Sequence, residues 1–80
     1  MSKVLKKIKE MKFVDASVAI RGTDNDGGIL VEAKLIQFLE KDGGSAQVVK
    51  NVNAYARHKD LEKAQDAALE RAGVLLGLEE

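Results

Sequence analysis

The chain contains no cysteine, no proline and no tryptophan, and it has one histidine, one tyrosine and two phenylalanines. Without cysteine there is no disulfide framework and no thiolate metal site, and a lone imidazole, His58, makes a poor transition-metal set. No apolar run exceeds a few residues, far short of a bilayer span. The opening MSKVLKKIKEMK carries charge throughout and lacks the apolar centre of a secretory leader. Net charge is absent too: 13 basic residues balance 13 acidic ones, whereas nucleic-acid binders commonly show a basic excess. Together these features imply a soluble cytoplasmic protein without a cofactor.

What remains is 80 residues with 45% hydrophobic content, enough for one small folded domain spanning 1–80. A core that small gives a narrow stability margin, so self-association into a homo-oligomer is expected to add buried area. The charge is also uneven. Lys3, Lys6, Lys7, Lys9 and Lys12 face only Glu10 within the first twelve residues, and the tail ends in Glu79 and Glu80. A local basic patch acts on its surroundings even when the total is neutral.

Ser2 is a candidate N-cap for a helix over residues 3–11, in which Val4, Leu5, Ile8 and Met11 form one apolar stripe. From Lys12 to Gly22 the pattern alternates. Val14, Ala16, Val18 and Ile20 fall on one side and Asp15, Ser17 and Arg21 on the other, as in a half-buried strand. GTDNDGG, residues 22–28, has the residues of a hairpin loop. A long strand to Glu40 follows, with Ile29, Val31, Ala33 and Leu35 on the core side. Glu32 and Lys34 lie on the other side, joined there by Leu30, Ile36 and Phe38. After KDGGS comes a third strand over 46–57. Ala46, Val48, Val52, Ala54 and Ala56 share one side, Gln47, Asn51, Asn53, Tyr55 and Arg57 the other, with Val49 an apolar exception.

Asp60 suits the N-cap of the last helix and Glu62 its positive end. Leu61, Ala64, Ala68, Ala72, Leu75 and Leu76 form the packing face. Gly73 suggests close packing and Gly77 a C-terminal stop. Short loops make the strands antiparallel neighbours. The predicted architecture is an α+β two-layer sandwich of α-β-β-β-α order, with a three-stranded antiparallel sheet and both helices on one face.

No catalytic constellation accompanies this pattern, and no enzyme is expected. His58 sits among Arg57, Lys59 and Asp60. The hydroxyls of Ser2, Ser17, Thr23 and Ser45 lie in no nucleophile elbow. Neither GG pair is followed by GK[ST]. Asp24, Asn25 and Asp26 have the look of a calcium loop, but the loop joins strands and lacks the bidentate closing glutamate.

The strongest cluster is Arg57, His58 and Lys59 with Lys63 one turn on, because a helix N-terminus favours phosphates and cations reinforce it. The plainer account is a solvated junction in which these charges pair with Asp60 and Glu62. Lys3, Lys6 and Lys7 form a second possible phosphate surface. Tyr55 has the chemistry to stack on a base or to pack against Phe13 or Phe38.

Two resemblances bear on function. The element order, the size and the segment AQDAALERAGVLL resemble the double-stranded-RNA-binding domain, whose last helix opens on a basic cluster. Here HKDLEKA supplies Lys59 and Lys63 with acids between them, and GTDNDGG replaces that family's usual loop. The last third, HKDLEKAQDAALERAGVLLGL, resembles the single-strand annealing proteins, recombination mediators of phages and of eukaryotes. Leu61–Ala64, Arg71, Ala72 and Gly77 match the ends of that family's helix, and Glu70 stands where the family has a second basic residue. The resemblance implies an oligomer with Arg71 near DNA.

Function is therefore expected in nucleic-acid binding by backbone contacts, in its narrowest form a small phage-type single-stranded DNA annealing protein. Lys3, Lys6, Lys7, Arg57, Lys59, Lys63 and Arg71 would meet phosphates, and Tyr55 and His58 bases. The ligand would be single-stranded DNA or double-stranded RNA. The alternative is a protein-interaction module, such as a phage-type inhibitor or adaptor, that uses Leu30, Ile36 and Phe38.

Overall fold

Helical spacing at the start and alternation after it give, in order, α1 (Lys3–Glu10), β1 (Val14–Thr23), β2 (Ile29–Glu40), β3 (Ala46–His58) and α2 (Leu61–Leu76). The computed structural model describes residues 3–10, 14–40 and 43–78. The expected cap Ser2, the stripe position Met11, Lys12, Phe13, the first half of the KDGGS turn, Glu79 and Glu80 lie outside them. The strands form one antiparallel sheet in the order β1-β2-β3, so the α+β class and the α-β-β-β-α order hold.

The ends of α2 follow from local chemistry. Asp60 is extended, and its side chain accepts from the Lys63 amide at 3.2 Å, which satisfies a backbone donor the helix leaves open. At the other end Gly77 turns left-handed at φ 106°, and Leu78 N donates to Gly73 O at 2.9 Å. Lys50 Nζ from β3 donates to Leu76 O at 3.2 Å, placing a cation at the negative helix end.

Packing starts from the middle of β2, where Val31, Ala33 and Leu35 have no exposed surface. Across the sheet they stand opposite Ala56, Ala54 and Val52 of β3. α2 runs back over β3 and β2 and lays the buried Ala64, Ala68 and Ala72 on this layer. Alanine on both sides brings helix and sheet close together. α1 packs on α2, and Val4 lies against Gly73, where an added Cβ would overlap its Cγ1 and stand 3.2 Å from Ile8 Cδ1.

Three expectations need correction. β1 is not half-buried: Val18 is 38% and Ile20 56% exposed, because α2 covers β2 and β3 and leaves most of β1 bare. In β3 the register shifts between Gln37 and Phe38, so that Gln37 pairs with Lys50 but Phe38 with Val48. Val49 is therefore a bulged residue, and Val48 joins Phe38 on the outer face instead of Val52 in the core. In α2, Leu61 and Leu75 are 38% and 55% exposed, while Gly73 takes a buried place beside the alanines. The molecule is elongated, at 51 × 23 × 16 Å with a radius of gyration of 13.9 Å. A compact chain of this length would have about 12 Å.

Candidate nucleic-acid interface and the polar cluster of the sheet

The expected cationic residues separate into two sets. Arg57, near the end of β3, donates through Nε to Asp24 Oδ2 and forms an ion pair with it. Its guanidinium lies over Gly28, where a side chain would collide with it. Asp24 Oδ1 in turn accepts from the amides of Asp26 at 3.0 Å and Gly28 at 2.8 Å. Both its oxygens thus organise the β1–β2 loop. Arg57, with the Gly28 amide second, holds the Asp24 carboxyl below its usual range, and Asp24 raises the guanidinium in return. The loop that resembled a calcium ligand set is a closed Asx turn. Among the described residues no group of three His, Asp or Glu is placed to hold a metal ion.

His58 Nδ1 accepts from the Asp60 amide at 3.0 Å, which fixes the junction into α2. Arg71 Nη1 donates to the backbone oxygen of Tyr55 at 2.7 Å, tying α2 to β3. The cations of the junction do not pair with Asp60 and Glu62 as the plainer account had it: Arg57 takes Asp24, and Asp60 caps the helix.

The second set is the lysines. Lys3, Lys6 and Lys7 are exposed on α1, on the side opposite the buried Val4, Leu5 and Ile8. Lys59 and Lys63 are exposed at the start of α2. α1 meets α2 at Gly73, ten positions beyond Lys63, so the two lysine groups lie at different parts of the molecule.

Sequence reasoning missed the most organised polar cluster. Glu32, on the outer face of β2, is only 8% exposed. Tyr55 OH donates to its Oε2 at 2.8 Å and Asn53 Nδ2 to the same oxygen at 2.9 Å. Arg21 Nε donates to Oε1 at 2.7 Å, with Nη2 2.6 Å away. Arg21 is the extra residue of a register shift in β1 between Ile20 and Gly22, two positions beyond Ala19, which stands opposite Glu32. The Tyr55 hydroxyl, then Arg21 and Asn53, hold the Glu32 carboxyl down to about 2, and the glutamate pushes the Tyr55 hydroxyl up. Tyr55 thus stands opposite Glu32, six positions along β2 from Phe38, and Phe13 lies outside the described residues. A signal existed in the sequence: the hairpin places Glu32 directly opposite Tyr55, but this is visible only once the register is known.

The cluster also divides the outer face. Leu30 is 37% exposed, while Ile36 and Phe38 are half-buried. At about 3.3 Å per residue, Leu30 is roughly 20 Å from Ile36 along β2, with Glu32 and Lys34 between them. They do not form one apolar patch. Another apolar surface is a groove of about 710 Å³ between α2 and β3, lined by Ala54, Tyr55, Ala67, Glu70, Arg71, Val74 and Leu75.

No protein-family model, curated protein or solved structure matches the chain. No helix among the described residues is long and apolar enough to cross a membrane.

Proposed function

We propose that the protein binds nucleic acid through backbone phosphates, with annealing of single-stranded DNA in the cytoplasm as its narrower role. One observation carries the proposal: the division of the cations. Arg21, Arg57, Arg71 and Lys50 are committed to internal partners, whereas Lys3, Lys6, Lys59 and Lys63 are exposed with no internal ion pair among the described residues. Lysines left to solvent on one face of α1 and at the positive end of α2 support a reading in which they meet phosphates. Arg57 and Arg71 then act by positioning, and the half-exposed ring of Tyr55 is the surface left for a base. The likeness of the last third to single-strand annealing proteins and that of the topology to the double-stranded-RNA-binding domain agree in ligand class.

The test is fluorescence anisotropy with labelled single-stranded DNA, double-stranded DNA and double-stranded RNA at several salt concentrations. Four lysine contacts to a single strand give a log–log salt slope of about −3, and Lys63→Glu should weaken binding. No binding to any of the three at low salt overturns the proposal.

A second reading, a protein-interaction module, is favoured by the exposed apolar residues at the far end of the β2–β3 hairpin. Leu39, Val48 and Val49 are 59%, 58% and 54% exposed. Binding of such a partner would persist as salt rises.

A further inference from the structure

We infer that the groove between α2 and the free edge of β3 is a two-fold interface that a second copy of this chain fills through its own α2. The groove is apolar at its ends and charged at its centre. Ala67, Glu70, Arg71 and Val74 recur at the i, i+3, i+4, i+7 spacing of one helical stripe, and all four line it together with Leu75. Val74 and Leu75, in the last turn of α2, are each 55% exposed.

The stripe is complementary to itself when reversed. A two-fold contact requires one patch to fit its own copy. With two α2 helices antiparallel and the axis between positions 70 and 71, Glu70 faces Arg71 of the second copy and Arg71 faces Glu70. Ala67 then faces Val74, small against large, on both sides of the axis. Each central charge has capacity for this contact. Glu70 has no ion-pair partner among the described residues, and Arg71 spends Nη1 on Tyr55 O while its other donors remain. The bond from Arg71 to the edge of β3 also holds the guanidinium in the groove, so the cation is ordered before the partner arrives. A zero net charge opposes no such approach.

The experiment is sedimentation equilibrium of the full chain, without nucleic acid, over a wide concentration range. Wild-type protein should approach twice its 8.7 kDa mass. Glu70→Arg places like charges across the axis and should weaken self-association roughly tenfold or more. Arg71→Glu should do the same. Mixing the two variants restores opposite charges and should restore a dimer containing one of each, which a loss of folding could not do. Because Arg71→Glu also removes the bond to Tyr55, circular dichroism checks its fold; Glu70→Arg breaks no internal pair and keeps the test decisive alone. Wild-type protein that stays at 8.7 kDa throughout overturns the inference. So does self-association that Glu70→Arg leaves unchanged.

Discussion

Val4 of α1 and Gly73 of α2 share one contact: the valine methyl stands where a side chain at position 73 would begin. Val4 has no exposed surface, and Gly73 is buried within the helix. Glycine in a helix interior costs up to about 1 kcal/mol relative to alanine, so Gly73→Ala on helix propensity alone would stabilise. Overpacking a filled core costs about 1–3 kcal/mol, and here it dominates. Urea unfolding should show Gly73→Ala less stable than wild type. In a Val4→Ala background the same change should be neutral or favourable, since the two residues couple through the contact.

Glu32 makes stability depend on acid. Its carboxyl ionises near 4.5 when unfolded and is held down to about 2 in the fold by Tyr55, Arg21 and Asn53. The folded state favours the anion, so this contribution is complete above about pH 4.5 and is lost as pH falls from there toward 2. Glu32→Gln removes the titration, and urea midpoints measured between pH 7 and pH 2.5 should fall less steeply in that variant. Parallel profiles for variant and wild type would contradict the assignment. At the alkaline end the Tyr55 hydroxyl is raised by the same glutamate, so its share is present below about pH 10 and disappears as the phenol ionises above that.

Arg57 and Lys63 should separate in experiment although sequence analysis grouped them. Arg57→Gln releases Asp24, and amide exchange at Asp26 and Gly28 should speed up because both bond to that carboxylate. Lys63→Gln should leave loop exchange alone and reduce the salt slope of nucleic-acid binding by about 1. A slope unchanged by Lys63→Gln would remove this lysine from the interface.

Leu35 and Ile20 are both β-strand residues on the same face of the sheet, with opposite expected sensitivities. Leu35 has no exposed surface, whereas Ile20 is 56% exposed. Leu35→Ala should cost about 2–5 kcal/mol. Ile20→Thr should stay within about 0.5 kcal/mol, even though Ile20 stands directly opposite the buried Val31. A large loss from Ile20→Thr would mean that β1 is covered in solution.

Asp60→Ala removes the acceptor for Lys63 N and should lower the melting temperature in step with a loss of about 1 kcal/mol. Asp60→Ser should recover most of it, since serine caps equally well.

Local patterns were legible because their causes are local. The strand from Val14, the GTDNDGG loop, the Asp60 cap and the Gly77 stop each follow from a few neighbouring residues and stand as expected, although β1 lacks the half-buried pattern its alternation predicted. Gly73 was legible as a close contact, but not its partner Val4, which lies 69 positions earlier in the chain. The expected site was only partly legible. Charge and position marked Arg57 and Arg71 as cations, but whether a cation is spent inside the fold depends on which carboxylate or carbonyl the chain brings beside it.

By itself the sequence determined the five elements, their order and the two-layer class, since helical and strand periods and turn residues act over short spans. The tertiary structure alone decided the rest. The bulge at Val49 moved Val48 across the sheet. The position of α2 over β2 and β3 left β1 bare and opened the groove at Val74. The strand register carried Tyr55, Asn53 and Arg21 to Glu32. Each of these is a long-range placement, in which one residue of shift or a few ångströms of helix position decides which side chain meets which, and no short segment carries that information.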